Sequence, residues 1–249
     1  MDILELAKIG SVLLLGSIIQ SSSGFGFGLF AIPILLFMGF DLPSTVTMVI
    51  IASAISKGTA FNYLKNDLKI RELGLLLTVS LLALPAGIYT MFKISSMDQS
   101  VIKQIIGTLI IILLVLRWKG GTKSRESVPR IWTVVAGLFC GFLNGFANIG
   151  GPPLVLWVLA HKWSNQKMRG TIIAISLAFV PLQIPLLLVA FGSTIINPMV
   201  KALVLSPTVL LGTWIGLTIG NKISRKHLTI YMQILLLIIA ISSIAKPFF

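Results

Sequence analysis

Two stretches of this chain run without a charge for longer than a bilayer is thick. Ile9–Phe40 and Ile131–Ala160 contain no Asp, Glu, Lys or Arg. As single helices each would be about 45–48 Å long at 1.5 Å per residue, against a hydrocarbon core of about 30 Å. Each must therefore bend or break. The first is interrupted by Ser21-Ser22-Ser23-Gly24-Phe25-Gly26-Phe27-Gly28. The second is interrupted by Asn144-Gly145-Phe146-Ala147-Asn148-Ile149-Gly150-Gly151-Pro152-Pro153. Glycine admits backbone angles that end a helix, and proline lacks the amide that would continue one. The apolar residues beyond each break, Leu29–Phe40 and Leu154–Ala160, suit a half-helix better than a full span.

The rest of the chain fits a bilayer too. Of 249 residues, 56% are hydrophobic and 11% charged, with mean hydropathy +0.99, whereas a soluble domain averages about 25% charged residues. The expectation is an all-α polytopic membrane protein, a single membrane domain over 1–249. Thr45–Leu64, Leu73–Phe92, Gln99–Trp118, Gly170–Phe191, Val200–Asn221 and Leu228–Ala245 read as ordinary spans. Asp2 and Glu5 occupy the place of a basic leader region, so no cleaved signal peptide is expected. The lone Cys140 excludes an intrachain disulfide and a cysteine-only metal site. The net charge of +13 is scattered between apolar runs, as in membrane loops, so nucleic acid is not an expected partner.

The order of elements repeats. Setting Gln20 on Asn144 also sets Gly24 on Asn148 and Gly26 on Gly150. The chain divides into 1–124 and 125–249, each a broken pair followed by three spans. If each pair returns to the face it entered, about 14 basic residues gather on one face against about 5 on the other; a single crossing per pair gives about 11 against 8, no bias. The return model places the basic loops in the cytoplasm and both termini outside. It also makes the halves inverted, and inverted repeats with helices broken at mid-membrane are a transporter signature.

The chemistry is expected at the breaks. Half-helices starting near Leu29 and Pro153 point their N-termini into the membrane, where free N–H groups and the helix dipole favour an anion. Ser21, Ser22 and Ser23 add hydroxyls, and Gln20, Asn144 and Asn148 add amides; the alternative is that these groups only satisfy broken backbone. Lys57 sits in an apolar span about 12 Å along the helix from Lys65, and an intramembrane charge is costly enough to be a functional residue by default. Its alternatives are a tilted helix that lets it reach headgroups, or a structural lysine bound to carbonyls. Arg169 offers a bidentate oxyanion grip or, more simply, a cytoplasmic anchor. The spacing of Gly137, Gly141 and Gly145, and of Gly212, Gly216 and Gly220, reads as close helix packing. All seven carboxylates lie near loops or helix ends, which leaves none at mid-membrane to hold sodium or a proton. No catalytic dyad, metal cluster or phosphate-binding loop is present in the sequence; neither an enzyme nor a cofactor is expected.

At the two breaks the chain resembles the TauE/SafE family of sulfite exporters and related anion permeases. The matching residues are Gly24-Phe25-Gly26-Phe27-Gly28 with Pro33, and Asn148-Ile149-Gly150-Gly151-Pro152, with Lys167-Met168-Arg169-Gly170-Thr171 and the late glycine series. The resemblance implies transport of small sulfur-containing anions: sulfite, thiosulfate, or sulfonates such as sulfoacetate. Phe27 stands where the family is often glycine, and with Phe25 it would shape the pocket for an organic sulfonate. The expected protein is a multi-pass secondary transporter of the bacterial inner (plasma) membrane that exports such an anion. Gln20, Ser21, Ser22, Ser23, Gly24, Phe25, Gly26, Phe27, Gly28, Lys57, Asn144, Asn148, Gly150, Gly151 and Arg169 are the expected binding residues. A passive anion or solute channel and an uptake permease for thiosulfate or sulfate are the alternatives. The partners are the small anion, the lipid bilayer and, optionally, further copies of the chain in a homo-oligomer.

Overall fold

A computed structural model describes residues 3–64, 70–119 and 128–222, together with Leu237 and Ile241. Among them every regular element is helical. The order is α1 (Ile3–Ser23), α2 (Phe27–Phe37), α3 (Leu42–Leu64), α4 (Ile70–Ile94), α5 (Gln99–Lys119), α6 (Arg130–Ala147), α7 (Gly151–Leu159), α8 (Asn165–Ala178), α9 (Val180–Phe191), a 3-10 turn, α10 (Ile196–Val204) and α11 (Ser206–Lys222). Five stretches are long and apolar enough to cross a bilayer: Ile3–Ser23, Leu42–Tyr63, Glu72–Ile94, Arg130–Ala147 and Gln166–Val204. The chain is a polytopic helical membrane protein.

Both long runs break where glycine and proline gather, into α1/α2 and α6/α7. Each pair turns back on itself. Lys201 Nζ lies 2.6 Å from Glu5 in the first turn of α1 and 5.6 Å from the ring of Phe40 just past α2, so α1 starts and α2 ends at one face. In the second pair Trp157, near the end of α7, donates its indole N–H to Thr133 Oγ1 in the first turn of α6 at 3.0 Å. The second pair enters from the other face. α6 runs parallel to α4, with Gly137, Gly141 and Gly145 against the carbonyls of Leu76, Ser80 and Leu84 in turn. The start of α4 is pinned to the start of α8 by Lys167 and Glu72, 2.6 Å apart. α1 is matched in the same parallel sense by α11, where Gly212 and Gly216 lie on the carbonyls of Leu14 and Ile18. Lipid offers no hydrophobic drive between helices, so backbone-to-backbone approach over small residues supplies the packing.

Two expected spans are divided. Gly170–Phe191 is α8 and α9, separated at Phe179, because Pro181 has no N–H to return to the carbonyl of Leu177; the Leu182 amide bonds Phe179 O instead, at 3.1 Å. Val200–Asn221 splits at Leu205 into the end of α10 and α11. Lys201 draws α10 to the face where Glu5 waits, and Pro207 starts the next helix. The expected span Leu228–Ala245 lies outside the described residues apart from Leu237 and Ile241, both helical.

Candidate functional site

At the first break, Gly24 and Gly26 have φ of +90° and +102°, angles that side chains resist. They turn the chain from α1 into α2, whose N-terminus has no side-chain cap. The three serines point back along α1. Ser21 donates to Ser17 O at 2.6 Å, Ser22 to Ile19 O at 2.9 Å, and Ser23 lies 2.8 Å from both Ile19 O and Phe25 O. Their protons go to backbone, as serine in a helix commonly arranges, so in this conformation they present lone pairs rather than donors. Phe27 is turned into the α1–α2 contact, against Gly16. Arg169, from the start of α8, donates Nη2–H to Ser21 O at 2.7 Å and lies along Gly24.

The second break differs in chemistry. α6 ends at Asn148, a left-handed residue with φ 51°, whose N–H returns to Asn144 O at 2.8 Å. α7 begins at Gly151 without a side-chain cap. Pro152 and Pro153 remove two of its first-turn amides, so this end offers fewer donors than α2. Asn144 folds back on its own helix: Nδ2 donates to Cys140 O at 3.1 Å, and the amide packs behind Gly150. Gln183 of α9 holds the same turn, its Nε2 donating to Asn144 O at 2.8 Å.

The two breaks cross in contact. A Cβ at Gly28 would overlap the Asn148 carbonyl, and Gly151 lies against Phe25. The N-termini of α2 and α7 thus face one another, each contributing a partial charge of about +0.5 at most. Beside this crossing α3 brings a lysine. Lys57 Nζ and Asn148 Nδ2 both donate to Ser53 Oγ at 3.4 Å, and Ser53 in turn donates to Ile50 O at 3.1 Å. Lys57 is 6%, Ser53 1% and Asn148 9% exposed. Placing a lysine at such depth costs about 3 kcal/mol on insertion scales. Every described carboxylate is elsewhere, at a helix end: Glu5 on Lys201, Asp41 on the Ser44 amide, Glu72 on Lys167, Asp98 on Ser100. Gln20 is also buried, with Oε1 lacking a partner among the described residues. By contrast, a groove of about 530 Å³ between α4, α5 and α6 is mostly apolar, with Gln104, Thr90 and Thr108 among its lining and no charged side chain.

The chain matches the family described as sulfite exporter TauE/SafE over residues 9–243. It belongs to the TauE/SafE family. No curated protein and no solved structure matches it. As a TauE/SafE protein it is of the sulfite exporter type, a membrane transporter. Sequence reasoning passed over Ser53 and Gln183. Ser53 had a signal, since it lies one turn from Lys57 on the same helix face. Gln183 is the one amide in the apolar run Gly170–Phe191, and neutral polarity barely marks a hydropathy profile.

Proposed function

We propose that this TauE/SafE protein is a secondary transporter that exports sulfite or a small organosulfonate across the bacterial inner membrane, binding it at the crossing of the two breaks. One observation carries the reading: Lys57 is buried beside two opposed half-helix N-termini, with no carboxylate near it among the described residues. Lys57 would supply the counter-charge, Asn148 and the first-turn amides of α2 the directional donors, and Gly24, Gly26, Gly28, Gly150 and Gly151 the close backbone approach. In the closed arrangement Asn144, Arg169 and Ser21–Ser23 would hold the breaks in shape.

The chain is read as two inverted repeats, 1–124 and 125–249. In support, α1/α2 and α6/α7 enter from opposite faces, and each repeat lends its first helix to the other, α1 on α11 and α6 on α4. Alternating access would be motion between two units that each take helices from both repeats, α1 with α11 and α4 with α6, with the basic loops in the cytoplasm and both termini outside. Because no described carboxylate reaches the centre, the anion would leave on the membrane potential alone, gaining about 2.3 kcal/mol per charge per 100 mV.

Proteoliposomes loaded with radiolabelled sulfite test this. Efflux should saturate, should rise when the interior is made negative, and, with the interior pH held fixed so that the sulfite species inside do not change, should ignore the external pH at fixed voltage. Flux that follows the pH gradient and is blind to voltage rejects the uncoupled mechanism; no flux of any sulfur oxyanion rejects the transport reading.

A further inference from the structure

We propose that the crossing selects singly charged oxyanions over doubly charged ones. This rests on the anion-transport reading and narrows it. The fully buried part of the cluster holds one formal charge, that of Lys57; the Arg169 guanidinium at the first break is only part-buried and is turned to Ser21 O. Lys57 makes a single hydrogen bond among the described residues, the 3.4 Å contact to Ser53 Oγ, and Ser53 is shared with Asn148 Nδ2 at the same distance. The ammonium has three protons, so its capacity is largely unspent. The described carboxylates are engaged at helix ends. A monoanion at Lys57 therefore brings the buried region to zero net charge. A dianion leaves one negative charge in a low-dielectric surround, and neutral donors do not recover that desolvation penalty in full.

The helix ends do not make up a second charge. The α2 terminus already has the Asn148 carbonyl against Gly28, and α7 opens with Pro152-Pro153, which carry no N–H. Their dipoles add partial charge and direction. Hydrogen sulfite and simple alkanesulfonates fit this charge count. Sulfate, thiosulfate and doubly ionised sulfoacetate do not, so the narrower reading favours the first group over sulfoacetate.

Three probes of one shape isolate charge: dimethyl sulfone (neutral), methanesulfonate (one charge) and sulfate (two charges). The full-length protein in detergent is titrated with each at fixed ionic strength, and the midpoint of thermal stabilisation is read. The same titrations on Lys57→Gln are subtracted, which cancels the general stabilisation by sulfate through exclusion from the surface. Methanesulfonate should reach its midpoint at a concentration about tenfold or more below the other two, a factor worth about 1.4 kcal/mol, and Lys57→Arg should keep that order. Should Lys57→Gln not fold, Ser53→Ala is the reference: it keeps the charge, and should weaken methanesulfonate binding without changing the order. Sulfate at or below the methanesulfonate midpoint overturns the single-charge rule and leaves anion transport standing. Dimethyl sulfone equal to methanesulfonate also overturns it. No Lys57-dependent response to any probe overturns it too, and radiolabelled sulfite efflux then tells whether the transport reading falls with it.

Discussion

A methyl group at Gly28 would meet the Asn148 carbonyl, while one at Gly58, next to Lys57, would meet nothing within 4 Å. The two glycines therefore predict opposite outcomes. Gly28→Ala should lower stability by about 1–3 kcal/mol, as overpacking does. Gly58→Ala should gain up to about 1 kcal/mol from helix propensity. Thermal unfolding of the purified protein separates them, and equal losses at both sites would show that the crossing is not tight. Asn148 carries two roles that substitution can part. Its φ of 51° suits glycine, so Asn148→Gly should keep the fold and weaken anion binding, whereas Asn148→Ala should also add strain of about 1–2 kcal/mol. Binding unchanged in Asn148→Gly would remove the amide from the site. His161, just past α7, stacks on Trp163 at 4.2 Å, and its Nδ1–H donates to Trp157 O at 2.9 Å, since a carbonyl only accepts. Burial holds this imidazole below its ordinary value, opposed in part by the Trp157 carbonyl and Glu72 and assisted by Lys167. The folded protein thus prefers the neutral ring. The stability it contributes is complete above the unfolded value of about 6.5 and is lost as pH falls from there through the lower folded value. Melting temperature should drop on acidification across that window, and His161→Phe should flatten the drop; an unaltered slope would rule His161 out as the cause.

At the scale of elements, α8 and α9 tie both breaks into one piece. Arg169 near the start holds Ser21 O, and Gln183 beyond the Phe179 interruption holds Asn144 O. Gln183→Leu removes the second hold without changing side-chain length by much. The Asn144 carbonyl keeps the Asn148 amide as a partner, so the stability loss should be about 1 kcal/mol, while the half-saturating sulfite concentration rises several-fold because α7 is no longer fixed against α2. A loss confined to stability, with transport constants unmoved, would make Gln183 a packing residue only. The division of labour between sequence and structure is clear at this scale. Both broken pairs were legible, since a charge-free run longer than a bilayer has few options and glycine and proline mark the place. Lys57 was legible as a charge in apolar surroundings. The interruption at Phe179 was not, because Pro181 lies in an unbroken hydropathy run, and Lys201 inside an apolar stretch blurred the start of α11. The serines show a further limit. Their polarity is visible in sequence, but whether their protons go to a ligand or to the preceding turn depends on coordinates. The contact between Gly28 and Asn148 could not be read at all without knowing that the pairs enter from opposite faces.

Across the whole molecule, the interlocked pairing of α1 with α11 and α6 with α4 restricts how the centre can open. Gly141 and Gly145 sit so close on the Ser80 and Leu84 carbonyls that α4 and α6 must move as a unit, and Gly212 and Gly216 impose the same on α1 and α11. If each unit is rigid, opening runs between the units, through the Gly28–Asn148 and Phe25–Gly151 contacts, and one face opens at a time. Cys140 reports on this without any engineering. It is the chain's only cysteine, is fully buried, and lies on α6 one turn from Asn144, whose Nδ2 is 3.6 Å from its sulfur. A small membrane-impermeant thiol reagent should therefore be excluded from the closed form and should reach Cys140 during turnover. In oriented vesicles, labelling should be faster from one side under one sulfite gradient and faster from the opposite side when the gradient is reversed, with saturating methanesulfonate slowing both. Labelling equally fast from both sides, with or without sulfite, would describe a continuous pore and favour a channel. No labelling from either side under turnover would mean that the α1/α11 and α4/α6 units do not part at the crossing, and the transport path would have to be sought elsewhere in the fold.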